Sequence, residues 1–338
     1  MPNFAELFSR FPSLRVGVIG DVMLDTYMWG HVERISPEAP VPVVSLDKKE
    51  FRIGGAGNVA YNLQALGANA FVLSVTGDDE DALRLVQLFS GLGVNSAYSI
   101  RSRDRITTNK TRIISRNQQM MRLDTEITRE LVAADEDSLL QSFDRFLSEV
   151  RPDIVILEDY NKGVLTERVI RHVIDGCRAA GVLTAVDPKR KNFFTYRGVD
   201  IFKPNLGEVR EALNLLSVDT SRPQLQNIHH ELYRHLQHAI SFVTLSEKGV
   251  FYQQGNNNDL IPSHFRNIAD VSGAGDTVIA VAALVYAATH DVRLMAEIAN
   301  IAGGLVCEIV GTAAINVKQL LAETEHLLGK NSRQDADY

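Results

Sequence analysis

The sequence predicts an α/β fold: a central, mostly parallel sheet with helices on both faces, plus a small β lid. Three observations carry this. Short apolar runs rich in β-branched residues alternate with longer stretches of helical period. One short run, residues 153–157, is apolar throughout its interior, as a strand covered on both faces must be. Two stretches, 41–53 and 107–123, alternate apolar and polar residues, as half-exposed strands do.

In chain order, residues 15–20 read as a buried strand ending in a glycine turn. Residues 56–66 have helical spacing and stop at Gly67, a C-cap residue. A strand over 70–75 precedes a helix over 79–89, closed by Gly91. The helix over 166–180 ends at Gly181, and the strand over 182–186 follows it. Residues 201–202 and 242–245 read as further strands, with helices starting at Leu206, Gly275 and Val292. The two alternating stretches read as antiparallel strands of the lid, within about 22–53 and 100–124. The polar end, 331–338, reads as a frayed tail.

The chain has 338 residues, enough for two domains on length alone. Its chemistry-bearing motifs run from Asp25 to Asp276 and must meet in one site, which favours a single large domain over 1–330. With 35 basic and 42 acidic residues the net charge is −7, which argues against a nucleic-acid partner. The most apolar run, 278–288, is too short for a bilayer, so a buried helix and no membrane partner are expected. Only Cys177 and Cys307 occur, far apart, which suits a reducing compartment; a cytoplasmic location is expected.

The strongest local motif is Asp270-Val-Ser272-Gly273-Ala274-Gly275-Asp276, immediately before that apolar helix. Small residues let backbone N–H groups converge at a helix N-terminus, which is an anion site. An aspartate there can take a proton from a hydroxyl while the N–H groups stabilise a transferring phosphoryl. The same pattern also suits a plain helix start with Asp276 in its first turn. Gly54-Gly55-Ala56-Gly57-Asn58 matches a dinucleotide fingerprint, but the charged residues 47–52 before it are a poor buried parallel strand. These glycines read instead as an exposed loop open to a small polar ligand, with Asn58 hydrogen-bonding it. Asn205-Leu206-Gly207-Glu208 places an amide and a carboxylate on one helix face. That pair suits a hydrated Mg²⁺ beside a phosphate, and equally a capping box. Asp25 follows the first strand, where open α/β sheets bind ligands. Lys110 and Arg112 share a strand face near Arg122, suiting an anionic group. Asp187-Pro-Lys189 and Thr244-Leu-Ser246-Glu-Lys-Gly249 sit at strand ends and suit a nucleotide floor. His229-His230 reads as a solvated helix face.

Together these motifs resemble the ribokinase/PfkB family of carbohydrate kinases over roughly residues 14–318. Gly20-Asp-Val-Met-Leu-Asp25, Arg34-Ile-Ser-Pro-Glu-Ala-Pro, Ser115-Arg-Asn-Gln-Gln119, Arg122-Leu-Asp124, Asp159-Tyr-Asn-Lys162-Gly163 and Asp187-Pro-Lys189 are similar to the D-glycero-D-manno-heptose-7-phosphate kinases within it. The resemblance implies a ribokinase-like fold and ATP-dependent phosphorylation of the anomeric C1 hydroxyl of that heptose phosphate. The product, heptose 1,7-bisphosphate, would serve ADP-heptose and lipopolysaccharide core synthesis. It implies Asp276 as base, with Gly273, Ala274 and Gly275 in the anion hole. Asp25, Gly54, Gly55, Asn58, Asp159 and Lys162 would bind the sugar, and Lys110, Arg112 or Arg122 its phosphate. Lys189, Asn205, Leu206, Gly207, Glu208, Thr244, Ser246, Gly249 and Asn300 would hold ATP. Asn205 and Glu208 would hold Mg²⁺ largely through water, and Asp270 and Ser272 a monovalent cation such as K⁺. The family occurs alone or fused to a nucleotidyltransferase, and this length suits the kinase part; relatives also suggest a homodimer through the lid. Glu158 stands where serine is common and Ser272 where threonine is common, departures expected to spare the essential residues. Another kinase of this fold, a nicotinamide-dependent oxidoreductase and a non-catalytic binding protein are the alternatives.

Overall fold

The computed structural model describes residues 3–116, 118–264, 266–309 and 311–334, the backbone alone for 330–334. The chain starts with helix α1 (Phe4–Arg10) and strand β1 (Arg15–Gly20), then runs through a long hairpin, β2 (Val22–Ile35) and β3 (Pro42–Gly55). Helix α2 (Ala56–Ala65), β4 (Asn69–Leu73), β5 (Val75–Gly77), α3 (Glu80–Gly91) and β6 (Ile100–Ser102) follow. A second hairpin, β7 (Asn109–Ser115) and β8 (Gln118–Thr125), leads into α4 (Ala133–Val150), β9 (Ile154–Glu158), α5 (Glu167–Ala180), β10 (Leu183–Asp187) and β11 (Ile201–Phe202). The remainder is α6 (Leu206–Ala212), α7 (Arg222–Leu236), β12 (Ile240–Thr244), β13 (Val250–Gln254), β14 (Asn257–Ile261), α8 (Ala274–Thr289), α9 (Val292–Val306) and α10 (Val317–Gln334).

The main sheet has the order β14-β13-β12-β11-β10-β9-β1-β4. It is parallel from β4 to β12 and closes with an antiparallel hairpin. Two apolar cores cover its faces, one built with α2, α8 and α9, the other with α4, α5 and α7. The uniformly apolar run becomes β9, buried at every residue. Gly181 ends α5 in the left-handed region, as read, and Thr166, read as the first helical residue, is its N-cap, with Oγ1 accepting from Val169 N–H at 3.2 Å. Among the described residues no helix is long and apolar enough to cross a membrane. Both cysteines are free, and burial pushes the Cys177 thiol up to about 12.

The lid is a four-stranded sheet, β3-β2-β7-β8. As read, the stretch 41–53 lies in an antiparallel strand, β3 on β2, and 107–123 in an antiparallel pair, β7 and β8. The two halves join through a parallel β2–β7 pairing, because the chain makes a whole excursion through α2 and α3 between them. Three sequence expectations change. Residues 100–102 belong to a separate two-stranded sheet with β5, not to the lid. The strand expected over 70–75 breaks at Ser74, whose hydroxyl donates to the Gly20 carbonyl at 2.7 Å. Helix α10 runs to Gln334, into the expected tail; residues 335–338 lie outside the described ones.

The histidine pair also divides. His230 is exposed, but His229 is buried, 2.8 Å from Ser241 Oγ, and His238 lies 2.6 Å from the same hydroxyl. One hydroxyl serves two neutral rings by donating to one and accepting from the other. Burial lowers His229 to about 4 and His238 to about 3, with neighbouring imidazoles adding repulsion. The unfolded chain takes up these protons near pH 6.5 and the folded chain does not. Stability is therefore complete above pH 6.5 and is lost as pH falls toward 4, on the order of 2–3 kcal/mol for His229. A urea midpoint that falls over this window is expected, and His229→Asn should flatten the fall; an unchanged slope would count against this assignment.

Candidate active site

The parallel strands deliver their following residues to one edge. Asp21 follows β1, Glu158 ends β9 ahead of Asp159–Lys162, Asp187 ends β10, and Lys203 follows β11. Gly20, Glu158 and Asp187 are register neighbours across three strands. The N-terminus of α8 lies over this edge: a Cβ added to Gly275 would sit 3.5 Å from Asp187 Oδ2 and 3.8 Å from Lys203 Nζ. This is the ligand-binding edge of an open α/β sheet.

Asp276 sits in the first turn of α8 and is only 4% exposed. Tyr160 O–H donates to its Oδ1 at 2.6 Å, and Asn58 Nδ2 donates to its Oδ2 at 2.7 Å. Burial raises the Asp276 carboxyl to about 6; Tyr160 and Asn58 oppose the rise, Asp187 adds to it and Lys203 relieves it. Gly273 starts the helix at φ 79°, and a Cβ there would lie 2.8 Å from Asn58 Nδ2, so glycine permits both the turn and the contact. Among the described residues the N–H groups of Gly273, Gly275 and Asp276 have no hydrogen-bond partner, which leaves them as anion donors. The Ala274 N–H is spent on the Val271 carbonyl at 3.2 Å, so the expected hole loses that member.

The glycine stretch is not an exposed loop. Gly54 and Gly55 end β3 and are buried, and α2 begins at once. A Cβ on Gly54 would lie 2.5 Å from Asp25 Oδ2, and one on Gly55 2.3 Å from the Asp21 carbonyl. These glycines admit the protein's own groups, which seats Asp25 and aims Asn58 at Asp276. Strand β3 pairs antiparallel with β2 in the lid, so the dinucleotide fingerprint lacks its parallel strand.

On the lid side, Arg112 Nη1 donates to Asp25 Oδ1 at 2.5 Å. Lys110, on the lid, and Lys162, from the segment after β9, grip opposite oxygens of Glu126, at 3.4 and 2.8 Å. Lys110 also holds Asp124 at 3.1 Å, and the half-exposed Arg122 pairs with Asp124 and stands opposite Arg112 in register. The predicted cations thus gather at the junction of lid and core. Asp159 does not join them. It is buried, with its oxygens taken by Asn161 N–H, Asn192 and Tyr196, so it braces the fold rather than a ligand.

On the opposite flank, Asn205 and Glu208 form a full capping box at α6, and Lys189 Nζ lies 2.5 Å from Glu208 Oε1 and 3.6 Å from Asp187 Oδ1. Leu206 and Gly207 form the first turn of this helix. Asn205 bridges to Thr244 across to β12, and Ser246 and Gly249 close the turn after it. Asn300 stands further along, on α9, donating to the Pro262 carbonyl at 2.8 Å. Asp270 and Ser272 are joined to each other: Asp270 Oδ1 accepts from Ser272 N–H and O–H, and its Oδ2 from Gly311 N–H. That clamp accounts for both residues as the turn before α8.

Sequence reasoning missed Tyr160, Asp21, Lys203 and Glu158 as site residues. Asp21 is buried and accepts the N–H groups of Tyr160, Lys162 and Val164 at 2.9–3.0 Å, pinning the segment that carries two site residues. Lys203 is buried and pairs with Asp187 at 2.7 Å. Asp21 and Tyr160 lie inside the Gly20–Asp25 and Asp159–Gly163 motifs, and Glu158 and Lys203 stand at or just after a strand end; contacts across the sheet edge are what mark all four.

The arrangement suits transfer of a phosphoryl group to a hydroxyl: a buried carboxylate to take the proton, N–H donors beside it, and lysine ammoniums on the flank. Residues 14–319 match the pfkB family carbohydrate kinase profile, and the chain belongs to that family. It is a carbohydrate kinase, a phosphotransferase with an alcohol group of a sugar as acceptor. The chain is 38% identical over 323 residues to the bifunctional protein HldE of Geotalea uraniireducens (strain Rf4), covering 95% of this chain and 65% of the relative. It is 37% identical over 307 residues to the bifunctional protein HldE of Sulfurimonas denitrificans, covering 90% and 63%. The chain therefore spans just under two thirds of these curated relatives. Phosphofructokinase-2 from Escherichia coli in complex with potassium superposes with TM-score 0.75 at 17% identity, covering 92% of this chain and 99% of that one. Ribokinase from Arabidopsis thaliana complexed with ribose and ATP gives 0.70 at 16%, covering 91% and 98%. At such identities the superpositions show the fold, which is ribokinase-like.

Glu158, a departure expected to be harmless, is a fully buried carboxyl among these charges. Neither oxygen has a hydrogen-bond partner among the described residues. Burial, then Asp187 and Asp276, raise it well above an ordinary glutamate, against the pull of Lys203 and Lys189. The unfolded chain ionises this group near pH 4.5 and the folded chain resists, so the penalty grows as pH rises. Glu158→Gln is expected to raise the melting temperature at pH 8, with the gain vanishing near pH 4.5. Equal melting temperatures of the two proteins at pH 8 would contradict this.

Proposed function

We propose that the chain transfers the γ-phosphoryl group of ATP to the anomeric C1 hydroxyl of D-glycero-D-manno-heptose 7-phosphate, giving heptose 1,7-bisphosphate. The observation that carries the reading is Asp276, buried at a helix N-terminus whose N–H groups at Gly273, Gly275 and Asp276 have no partner among the described residues. The HldE relatives, 36–38% identical, and the shared motifs support this substrate within the family. Lys110 and Lys162, held together on Glu126, supply a place for the sugar's phosphate, with Arg112 beside them.

In the reaction, Asp276 accepts the C1 hydroxyl proton, and the oxygen lone pair forms the new bond to phosphorus. The bond from phosphorus to the bridging oxygen breaks, and ADP leaves with that electron pair. The N–H groups of Gly273, Gly275 and Asp276 stabilise the charge on the moving phosphoryl. Asp25 and Asn58 orient sugar hydroxyls, and Lys189 and the α6 N-terminus face the nucleotide phosphates. Among the described residues no three ligating side chains cluster, which fits a Mg²⁺ ion held mainly by water and phosphate, with Asn205 and Glu208 ordering its shell. When bound, that ion neutralises phosphate charge.

The test is an ATP-dependent assay over a panel of free and phosphorylated sugars, with phosphorus NMR locating the new phosphate. Turnover on the heptose 7-phosphate with a new anomeric phosphate is expected, and Asp276→Asn should fold and lose at least ~10² in kcat. Preference for another sugar, or near-normal turnover in the variant, would sink the substrate or the base assignment respectively.

We propose also that a second copy of the chain covers the lid. Its strands carry Ile35, Leu46, Met121 and Leu123, each about half exposed, and β8 is exposed along its whole length. Light scattering should report a dimer that Met121→Glu weakens to monomer; a monomeric parent protein would refute this.

A further inference from the structure

The Tyr160 phenol has no part in the reaction as written, yet it makes the shortest contact to the group that takes the proton. Its O–H donates to Asp276 Oδ1 at 2.6 Å, from a segment 116 residues away in sequence. The phenol's position is set twice. Its backbone N–H is held by the buried Asp21 carboxylate at 2.9 Å, and its ring carries Lys189 Nζ 5.6 Å from the centroid. Asn58 holds the other oxygen of Asp276, so the carboxylate plane is fixed by one donor from α2 and one from the segment after β9. Each oxygen keeps a lone pair for a substrate proton.

The groups packed around Asp276 divide into two sets. Glu158 from β9 and Asp187 from β10 are carboxyls, and burial itself opposes ionisation. Lys203 favours ionisation but is committed to Asp187 at 2.7 Å, and Lys189 is committed to Glu208. Asn58 and Tyr160 are the two donors that contact Asp276 directly. Burial and the Asp276 charge push the Tyr160 phenol itself well up, so it keeps its proton and remains a donor.

We propose that Tyr160 is a positioning residue for phosphoryl transfer: its phenol fixes the Asp276 carboxylate toward the acceptor hydroxyl and stabilises its negative charge. The inference rests on the reading of Asp276 as the base. Removing the hydroxyl deletes one donor from a charged acceptor and leaves the ring's packing in place, a loss of the size that costs about tenfold or more in rate. The base then protonates more readily.

The test is Tyr160→Phe, compared with the parent protein by pH–rate profile and by carbon-13 NMR titration of the Asp276 carboxyl, assigned by its absence in Asp276→Asn. The expected result is kcat down about tenfold or more, KM for sugar and ATP within about threefold, and the acid limb of kcat/KM moved up by about one pH unit. The Asp276 titration should move up with it, at an unchanged melting temperature. An acid limb and a carboxyl titration that both stay in place would overturn the proposal, whatever happens to kcat. If the parent protein phosphorylates no sugar, the functional reading fails on its own. The NMR titration then decides the Tyr160–Asp276 coupling: an upward shift supports it and no shift overturns it.

Discussion

Burying a carboxylate beneath a helix N-terminus is costly, and much of this molecule is arranged around that cost. As the proposed base, Asp276 would need shielding from water to act on a hydroxyl without loss of the phosphoryl group to hydrolysis. It must also remain ionised. The fold meets both needs by bringing donors from distant segments, Asn58 from α2 and Tyr160 from the turn after β9, and by placing open N–H groups above it. The apolar helix α8, buried along nearly its full length, anchors that N-terminus in the core. Glu158 is the counterweight: an unpartnered acid tolerated at the same edge, of the kind that functional sites keep at the expense of stability.

The lid solves a different problem. Its cations are half-buried and would repel one another if left alone. Each is paired with a carboxylate: Arg112 with Asp25, Lys110 with Asp124 and Glu126, Lys162 with Glu126. Arg52 adds a mechanical tie, reaching from β3 to the Thr312 carbonyl at 3.3 Å, next to Gly311, whose N–H holds Asp270. The lid is thereby joined to the turn that starts α8, so the cation cluster and the proposed base share one framework.

The local motifs proved more legible than the contacts between them. The Gly-Ala-Gly-Asp turn, the Asn205–Glu208 box and the cap at Gly181 depend on neighbours within four residues, so sequence alone exposes them. The glycines at 54 and 55 were recognised as special but assigned the wrong neighbour, because what fills their space, Asp25 and the Asp21 carbonyl, comes from another strand. The resemblance implied Asp159 as a sugar ligand, yet Tyr196 and Asn192 draw it inward. Whether β2 and β7 run parallel depends on the path between them, which alternation along a single strand does not encode.

What the sequence by itself determined is the set of pieces: alternating strands and helices, the anion-binding helix start, the candidate base and the family they belong to. The strands, helices and helix start follow from periodicity and short-range hydrogen bonding, which act over a few residues; the family follows from the resemblance of the motifs taken together. Only the tertiary structure decided which donors hold Asp276, that Glu158 is a buried acid without a hydrogen-bond partner among the described residues, and that His229 is core. The physical reason is common to all three. Burial and the field of neighbouring charges depend on which segments the sheet edge brings together, and that edge gathers residues more than two hundred positions apart.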